Sequence, residues 1–229
     1  MGGEGMLRAV IFDMDQTLID WSGRSGDWLT ISQGHLKPIC DHLRAMGYVL
    51  PDMEWVVTAY QQAAERAWNQ AKEPEWDCPR QIDILRNTLS SLYIDVAGLD
   101  MPRIQQLYGW GVVPGVRPYR DAGIVLRTIR SAGLKTGLIT NTAMPIGMRD
   151  VELEAFGLLE LLDVRLTAGD IGKLKPHPAP FCETLDRLGI VPDEAVFVGD
   201  RLHDDVMGAQ NVGLRAIWVR REPPYYDNG

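Results

Sequence analysis

The chain has 229 residues, 45% of them apolar, and its 31 acidic and 23 basic side chains give a formal net charge of -8. This length allows one globular core with a smaller second domain, and the acidic balance disfavours nucleic acid, which needs a broad positive surface on its partner. No apolar run approaches the roughly 20 residues that cross a bilayer, and Cys40, Cys78 and Cys182 form no C-x-x-C pair. We therefore expect a cytoplasmic protein with no membrane and no nucleic-acid partner.

Short apolar runs alternate with helical patterns along most of the chain. The first run, "RAVIFD" at residues 8–13, reads as a buried strand. Residues 21–112 then show helical periodicity and no convincing strand. Four further strands are predicted beyond residue 113: "TGLIT" (136–140), "VRLTA" (164–168), "AVFVG" (195–199) and "LRAIWV" (214–219).

Two amphipathic helices are predicted between the later strands. The apolar residues of 117–133 and of 179–190 each fall on one helix face, and Gly133 and Gly189 suit the C-terminal ends of these helices. Strands that alternate with helices favour parallel pairing through right-handed crossovers. The sequence thus predicts an open α/β fold built on a parallel sheet.

The domain organisation follows from the same pattern. We expect residues 1–20 and 113–229 to form the α/β core and residues 21–112 to form an all-helical insertion. Ligands of such open sheets bind outside the carboxyl ends of the strands.

Polar residues directly follow three of the predicted strands. Asp13 follows the first strand, Thr140 and Asn141 end the second, and Asp200 follows "AVFVG". We expect these side chains to face one crevice, with Lys175 nearby in the loop "GKLKPHPAPF".

Three aspartates near one point would repel each other unless a cation joined them. Asp13, Asp15 and Asp200 offer the oxygen ligands that magnesium prefers. Lys175 and Thr140 would add a positive and hydrogen-bonding lobe that fits phosphate. In phosphoryl transfer a carboxylate can be the nucleophile, which suits Asp13, and a second one can protonate the leaving oxygen, which suits Asp15.

At these residues the chain resembles the haloacid dehalogenase superfamily. The first motif of that family, D-x-D-x-T, is matched by "DMDQT", and its strand-ending Ser or Thr by Thr140. Its lysine ahead of proline is matched by Lys175 in "KPHPAPF", and its acidic fourth motif by "VGDRLHDD". The resemblance implies a Rossmann-like parallel core with a helical cap inserted after the first motif.

The resemblance also implies roles for individual residues. Asp13 would be the nucleophile and Asp15 the general acid and base, with Lys175 completing the catalytic set. Magnesium would be held by the Asp13 carboxylate, the Asp15 backbone carbonyl and Asp200. Phosphate-binding and metal-supporting roles fall to the remaining motif residues: Thr140, Asn141 and Lys175 for the phosphoryl group, and Asp205, with Asp204 as the alternative, for support of the metal.

The sequence departs from the family pattern at two positions. Gln16 replaces a frequent glycine, and Arg201 replaces a frequent small residue. Members that dehalogenate organic acids generally lack the second Asp of the first motif, whereas phosphatases keep it, as this chain does at Asp15. The resemblance therefore implies a magnesium-dependent phosphatase that acts on a small phosphorylated metabolite through an aspartyl-phosphate. A sugar phosphomutase and a non-catalytic binding protein on the same fold are the alternatives.

Four residues at the start of the insertion lie where they could contact the leaving group: Trp21, Arg24, Trp28 and His35. Exposed or packed hinge residues are the commoner interpretation of such a set, and we expect that here.

Overall fold

The computed structural model describes residues 6–71 and 74–220. Within these residues the chain forms the strands β1 (Ala9–Phe12), β2 (Ile19–Asp20), β3 (Arg117–Pro118), β4 (Lys135–Thr140), β5 (Val164–Thr167), β6 (Ala195–Gly199) and β7 (Arg215–Trp218). Its α-helices are α1 (Trp28–Ala45), α2 (Met53–Asn69), α3 (Gln81–Ser91), α4 (Met101–Gln106), α5 (Ala122–Ser131), α6 (Ile146–Ala155), α7 (Ala168–Ile171), α8 (Pro178–Leu188) and α9 (Gly208–Asn211).

Five parallel strands form the central sheet, in the order β5-β4-β1-β6-β7. The five strands predicted from the sequence are these five, so the α/β parallel-sheet prediction is confirmed. The two predicted helices are α5 and α8. Gly133 and Gly189, just beyond their ends, have φ angles of 77° and 63°, a region that costs glycine little and other residues more.

Alternate residues of β1 face the two helical layers of the core. Val10 and Phe12 belong to the apolar cluster that includes residues of α5 and α6, whereas Ala9 and Ile11 belong to the cluster built on α8 and α9. A strand covered on both faces must be apolar throughout, which explains the unbroken run before Asp13. Full burial of a side chain such as Phe12 contributes about 1.5–3 kcal/mol.

The helices α1 to α4 lie between β2 and β3 and have an apolar core of their own. Leu43 of α1, Val57 of α2, Leu85 of α3 and Ile104 of α4 are all in one buried cluster. In the described part of residues 21–112 no strand is formed, apart from an isolated bridge between Asp77 and Lys173. The domain boundaries at residues 20 and 113 stay a prediction.

Among the described residues, the helical insertion is attached to the core at its two connections and at one further region. The antiparallel pair of β2 and β3 holds its two connections side by side. A third attachment lies between α2 and α3, where the Cys78 N–H donates to the Gly172 carbonyl at 3.0 Å and the Gln81 N–H donates to the Ala143 carbonyl at 2.9 Å. Among the described helices none combines the length and apolarity needed to cross a membrane.

Candidate active site

The carboxyl ends of the three central strands open onto one cavity of about 260 Å³. Because β1 lies between β4 and β6 and runs parallel to both, Asp13 is flanked by Thr140 on one side and Asp200 on the other. All three residues line the cavity, as do Asn141 and Lys175. The predicted crevice therefore exists, and it collects the residues that the sequence assigned to it.

Lys175 is the centre of the hydrogen bonding beneath this cavity. Its Nζ donates to Asp13 Oδ1 at 2.7 Å, to Asp205 Oδ1 at 2.7 Å and to the Ile139 carbonyl at 3.1 Å. These three acceptors account for the three protons of an ammonium group. Lys175 thus orients Asp13 and neutralises part of the acidic charge around it.

Burial and neighbouring charges together set the pKa values of these groups. Burial raises the pKa of Asp13 to about 8, a rise that Lys175 opposes and that Asp205 and Asp200 reinforce. Burial also raises the pKa of Asp200 to about 6, together with the charge of Asp205. For Lys175 burial disfavours the charged form, but Asp13 and Asp205 outweigh it and the pKa lies above its usual value.

Three carboxylates converge in an arrangement that suits a divalent cation. Oxygen atoms of Asp13, Asp200 and Asp205 lie within 4.8 Å of one another. Magnesium prefers a small number of such hard oxygen ligands, and a cation there would relieve the repulsion that raises the pKa values of Asp13 and Asp200. The residues present therefore fit a divalent metal ion.

The two candidates for support of the metal, Asp204 and Asp205, point in different directions. Asp205 is 1% exposed, accepts from Lys175 and also accepts from the Arg201 backbone N–H at 3.0 Å. Asp204 lines the cavity but pairs with the Arg201 guanidinium and the His203 ring. The acidic cluster of the described residues contains Asp205 and not Asp204.

Asn141 holds the loop that carries Lys175. Its Nδ2 donates to the Lys175 carbonyl at 3.0 Å, and its Oδ1 accepts from the Lys175 N–H at 2.9 Å. This reciprocal pair joins the end of β4 to the loop before α8. The side chain of Asn141 thus has a structural task beside the backbone contact to phosphate that the family resemblance implies.

Asp15 makes three hydrogen bonds that the sequence did not indicate. Both of its oxygens accept from the Arg149 guanidinium, at 2.6 and 3.1 Å, and Oδ1 also accepts from the Trp21 indole at 2.7 Å. Burial acts to raise the pKa of Asp15, but Arg149 and Trp21 more than offset it, so the pKa lies below its ordinary value.

A buried glutamate completes this network. Arg149 Nε lies 2.6 Å from Glu152 Oε2, and the Trp110 indole donates to the same oxygen at 3.0 Å. Arg149 is 3% exposed and Glu152 is fully buried. Trp21 and Trp110 stand at the two connections of the helical insertion, so the network links both connections to Asp15.

Several of the cavity residues were not predicted as site residues. Trp21 and Trp28 line the cavity instead of serving only as packed hinge residues, and Trp110 and Arg149 line it too. His35, in contrast, is buried inside the insertion against Tyr108 and Trp110. No sequence motif marks Arg149 or Trp110. Only their positions in the chain are informative: Arg149 follows the second motif, and Trp110 lies at the end of the insertion.

The two departures from the family pattern are also accommodated at this site. Gln16 has a φ of 62°, in the region where glycine is favoured, and the Tyr119 hydroxyl donates to its Oε1 at 2.9 Å. Arg201 lines the cavity with its side chain 67% exposed.

A family model for haloacid dehalogenase-like hydrolases matches residues 7–213. The chain belongs to this family. The family and fold expected from the motifs are thereby confirmed, and with them the expectation of a hydrolase.

Named relatives of this hydrolase are phosphatases. It is 28% identical over 220 residues to the glyceraldehyde 3-phosphate phosphatase of Pyrococcus furiosus, a match that covers 93% of this chain and 81% of that protein. It is 37% identical over 106 residues to the phosphoserine phosphatase of Thermus thermophilus, covering 45% of this chain and 41% of that protein. With the glyceraldehyde 3-phosphate phosphatase of Methanopyrus kandleri the identity is 35% over 107 residues, covering 46% and 45%. The last two matches span less than half of the relatives' length.

Solved structures of the family resemble this hydrolase over almost its whole length. A phosphatase from Thermococcus onnurineus superposes with a TM-score of 0.56 and 25% identity, covering 97% of this chain and 90% of that one. A 2-haloacid dehalogenase from Pseudomonas syringae superposes with a TM-score of 0.60, the same identity and the same coverage. Overall shape thus does not distinguish a phosphatase from a dehalogenase, so the distinction has to rest on the site residues.

Proposed function

We propose that this hydrolase is a magnesium-dependent phosphatase that cleaves a small phosphomonoester through an aspartyl-phosphate. One observation carries the proposal: the carboxylates of Asp13 and Asp15 line the same cavity, beside a cluster of acids that suits a cation. A halide leaves without a proton, whereas an alkoxide needs one. A second carboxylate at this place therefore favours phosphate esters over haloacids as substrates.

Asp13 would perform the first displacement. One of its carboxylate oxygens attacks phosphorus, the bond from phosphorus to the ester oxygen breaks, and the phosphoryl group becomes attached to Asp13. The hydrogen bond from Lys175 to Asp13 Oδ1 leaves Oδ2 as the oxygen for attack. Thr140 and the backbone N–H of Asn141, at the end of β4, would bind the phosphoryl oxygens.

Asp15 would move the protons of both steps. In its protonated form it gives a proton to the leaving ester oxygen in the first step, and the resulting carboxylate, the form that Arg149 favours, takes one from water in the second, as the water oxygen attacks phosphorus and the bond to Asp13 breaks. About a third of the Asp15 side chain is exposed to the cavity, so water and substrate can reach it. Its pairing with Arg149 holds the carboxylate at a fixed place.

The metal would be held by Asp13, Asp200 and the Asp15 backbone carbonyl, with Asp205 acting through Lys175 or water. When bound, magnesium would neutralise charge on the phosphoryl oxygens and lower the barrier to attack. Asp205 supports this arrangement because it is buried within the acidic cluster.

The helices α1 to α4 would act as a cap over the site. A cap excludes water during reaction and excludes large phosphorylated molecules. The cavity of about 260 Å³ falls just below the range of about 300–1,000 Å³ typical of sites for drug-sized ligands, which favours a small metabolite. A cytoplasmic location and the absence of nucleic-acid and membrane partners stay predictions.

Phosphate release from a panel of phosphorylated metabolites, measured with magnesium, tests this function. The panel includes glyceraldehyde 3-phosphate and phosphoserine, which the names of two relatives suggest. We expect turnover by the wild type and loss of at least a thousandfold in Asp13→Asn. Equal release by the folded variant would show a contaminant, and transfer of phosphate to a second sugar instead of water would identify a mutase.

A further inference from the structure

Three tryptophans form an aromatic wall on one side of the cavity. This wall consists of Trp21, Trp28 and Trp110, all of which line the cavity. Trp21 and Trp28 have ring centroids 6.3 Å apart and an angle of 27° between their planes. The two rings thus pack against each other and leave no slot between them, since a flat molecule inserted there would need more space.

The indole N–H groups of this wall are already engaged. Trp21 donates to Asp15 and Trp110 donates to Glu152. These bonds fix the orientation of both rings and use their polar N–H groups, so ring carbon is what these two side chains have left for contact with a ligand. The nearby Arg149 is held by Asp15 and Glu152. The wall therefore suits an apolar surface better than a leaving group covered with hydroxyls.

The chain's own arginines occupy cation positions on two of the rings. The guanidinium carbon of Arg24 lies 4.4 Å from the Trp28 ring centroid, and that of Arg149 lies 5.7 Å from the Trp110 ring centroid. Tryptophan faces commonly bind cationic ligands such as quaternary ammonium groups. Here the arginines already supply the positive charge, so a cationic leaving group is disfavoured.

The wall lies on the leaving-group side of the cavity. Trp21 is bonded at 2.7 Å to Asp15, the carboxylate that would protonate the leaving oxygen, whereas the phosphoryl-binding residues lie at the ends of β1 and β4. The cavity volume of about 260 Å³ leaves room for a phosphoryl group and about one ring.

We propose that the aromatic wall selects phosphomonoesters whose alcohol carries a single flat aromatic or heteroaromatic ring. This inference rests on the proposed phosphatase function, and it names the substrate class of that site. Aromatic contact between the substrate ring and the tryptophans, offset-stacked or edge to face, is the source of the selectivity, because a saturated ring of similar size has no π system.

Esters of primary alcohols test the inference while keeping differences in leaving-group chemistry small. Benzyl phosphate and cyclohexylmethyl phosphate have the same carbon skeleton, and phosphocholine and glucose 6-phosphate represent cationic and hydroxylated alternatives. We expect kcat/KM for benzyl phosphate to exceed that of each of the others at least fivefold. Equal values for the two ring esters, or a preference for phosphocholine or glucose 6-phosphate, would overturn the inference.

Variants of Trp28 assign the selectivity to the wall. Trp28 makes no hydrogen bond through its indole among those found in the described residues, so Trp28→Phe keeps an aromatic face and Trp28→Leu removes it. We expect the leucine variant to lose about tenfold in kcat/KM for benzyl phosphate and little for the cyclohexylmethyl ester, while the phenylalanine variant keeps most activity. Trp55→Leu is the control, since Trp55 is 68% exposed on α2 and outside the cavity lining. Equal losses on both esters in Trp28→Leu would contradict the inference.

Binding of phosphonates separates failure of the inference from failure of the proposed function. If none of the esters is hydrolysed, the phosphatase proposal fails, but titration calorimetry with benzylphosphonate and cyclohexylmethylphosphonate still reports on the wall. Tighter binding of the benzyl compound would support the aromatic wall, provided that Trp28→Leu weakens this binding more than Trp28→Phe does. Equal binding of the two, or no binding, would overturn it.

Discussion

Asp15 and Arg149 form a bidentate ion pair across 134 positions of sequence, with guanidinium to carboxylate distances of 2.6 and 3.1 Å. The pair joins the loop after β1 to helix α6. Because Arg149 also lies against Glu152, the guanidinium is held between two carboxylates. A group proposed to move protons thus has its position set by a helix distant in sequence.

Two substitutions of Arg149 should distinguish its effect on the stability of the fold from its effect on the position of Asp15. Arg149→Met leaves Glu152 buried without its partner and should lower the free energy of unfolding by about 3–5 kcal/mol. Arg149→Lys keeps the charge but loses the planar fork, so we expect a nearly native melting temperature and a kcat about tenfold lower. Thermal unfolding measures the stability of both variants, and phosphate-release kinetics measure their kcat. An unchanged kcat in a folded lysine variant would refute the positioning role.

Removal of Lys175 should strongly lower turnover. Lys175→Met leaves Asp13 and Asp205 without their shared counter-charge, and the loss of such a buried cationic donor should lower kcat by about 100-fold to 1,000-fold. Lys37→Met is the matched control, since the Lys37 side chain is 67% exposed and pairs with Asp41 on the surface of α1. The control should keep wild-type kinetics. Similar losses in both variants would contradict a specific role for Lys175 in the site.

Metal removal should stop the reaction reversibly. Dialysis against a chelator should abolish phosphate release, and added magnesium should restore it, because uncompensated carboxylates repel both each other and the phosphate. Asp200→Asn should raise the magnesium concentration needed for half-maximal activity about tenfold or more. A comparison of Asp205→Asn with Asp204→Asn distinguishes the two remaining acids, and we expect the larger loss in Asp205→Asn. Full turnover after exhaustive chelation would exclude the metal.

Asp163 supplies a test of stability against pH away from the site. Its carboxylate accepts from the Thr136 N–H at 2.8 Å and from Arg130 at 2.6 Å. Burial acts to raise the pKa of Asp163, but Thr136 and Arg130 outweigh it and lower the pKa below the ordinary value. A group whose pKa is lower in the folded state stabilises the fold above its unfolded pKa of about 3.9, and this contribution is lost as pH falls through the folded value.

The corresponding variant is Asp163→Asn. It should lower the free energy of unfolding by about 1 kcal/mol near pH 7, a modest figure because the carboxylate is partly exposed. The difference from wild type should shrink below about pH 4, as the native carboxyl becomes protonated. Denaturant unfolding at several pH values measures this, with Glu65→Gln on the exposed side of α2 as control. A difference that stayed constant with pH would contradict the assignment.

Much of the core could be predicted because its signals are local. The run before Asp13 is apolar throughout since β1 is covered on both faces, and Gly133 and Gly189 mark helix ends through their backbone conformation. The crevice followed from one topological rule, that parallel strands end at the same edge of a sheet. That rule alone was enough to predict that Asp13 and Asp200 lie in the crevice.

The rest of the site depends on contacts between segments that the sequence does not relate. Arg149 lies on a helix whose own pattern shows no reason for a buried guanidinium, and its partner Asp15 is 134 positions away. Trp28 looks like an ordinary amphipathic-helix residue until the insertion folds over the cavity. Pairing of charges and orientation of rings are set by tertiary packing, which a single sequence does not display.

Trapping of the phosphorylated enzyme tests the central claim most directly. Asp15→Asn removes the group that would activate water, while acetyl phosphate carries a leaving group that needs no protonation. After incubation with acetyl phosphate and magnesium, intact-protein mass spectrometry should show one added phosphoryl group, and peptide mapping should place it on Asp13. The double variant Asp13→Asn with Asp15→Asn should gain none. A phosphoryl group on another residue, or phosphate release by the single variant at the wild-type rate with none attached, would contradict the aspartyl-phosphate mechanism.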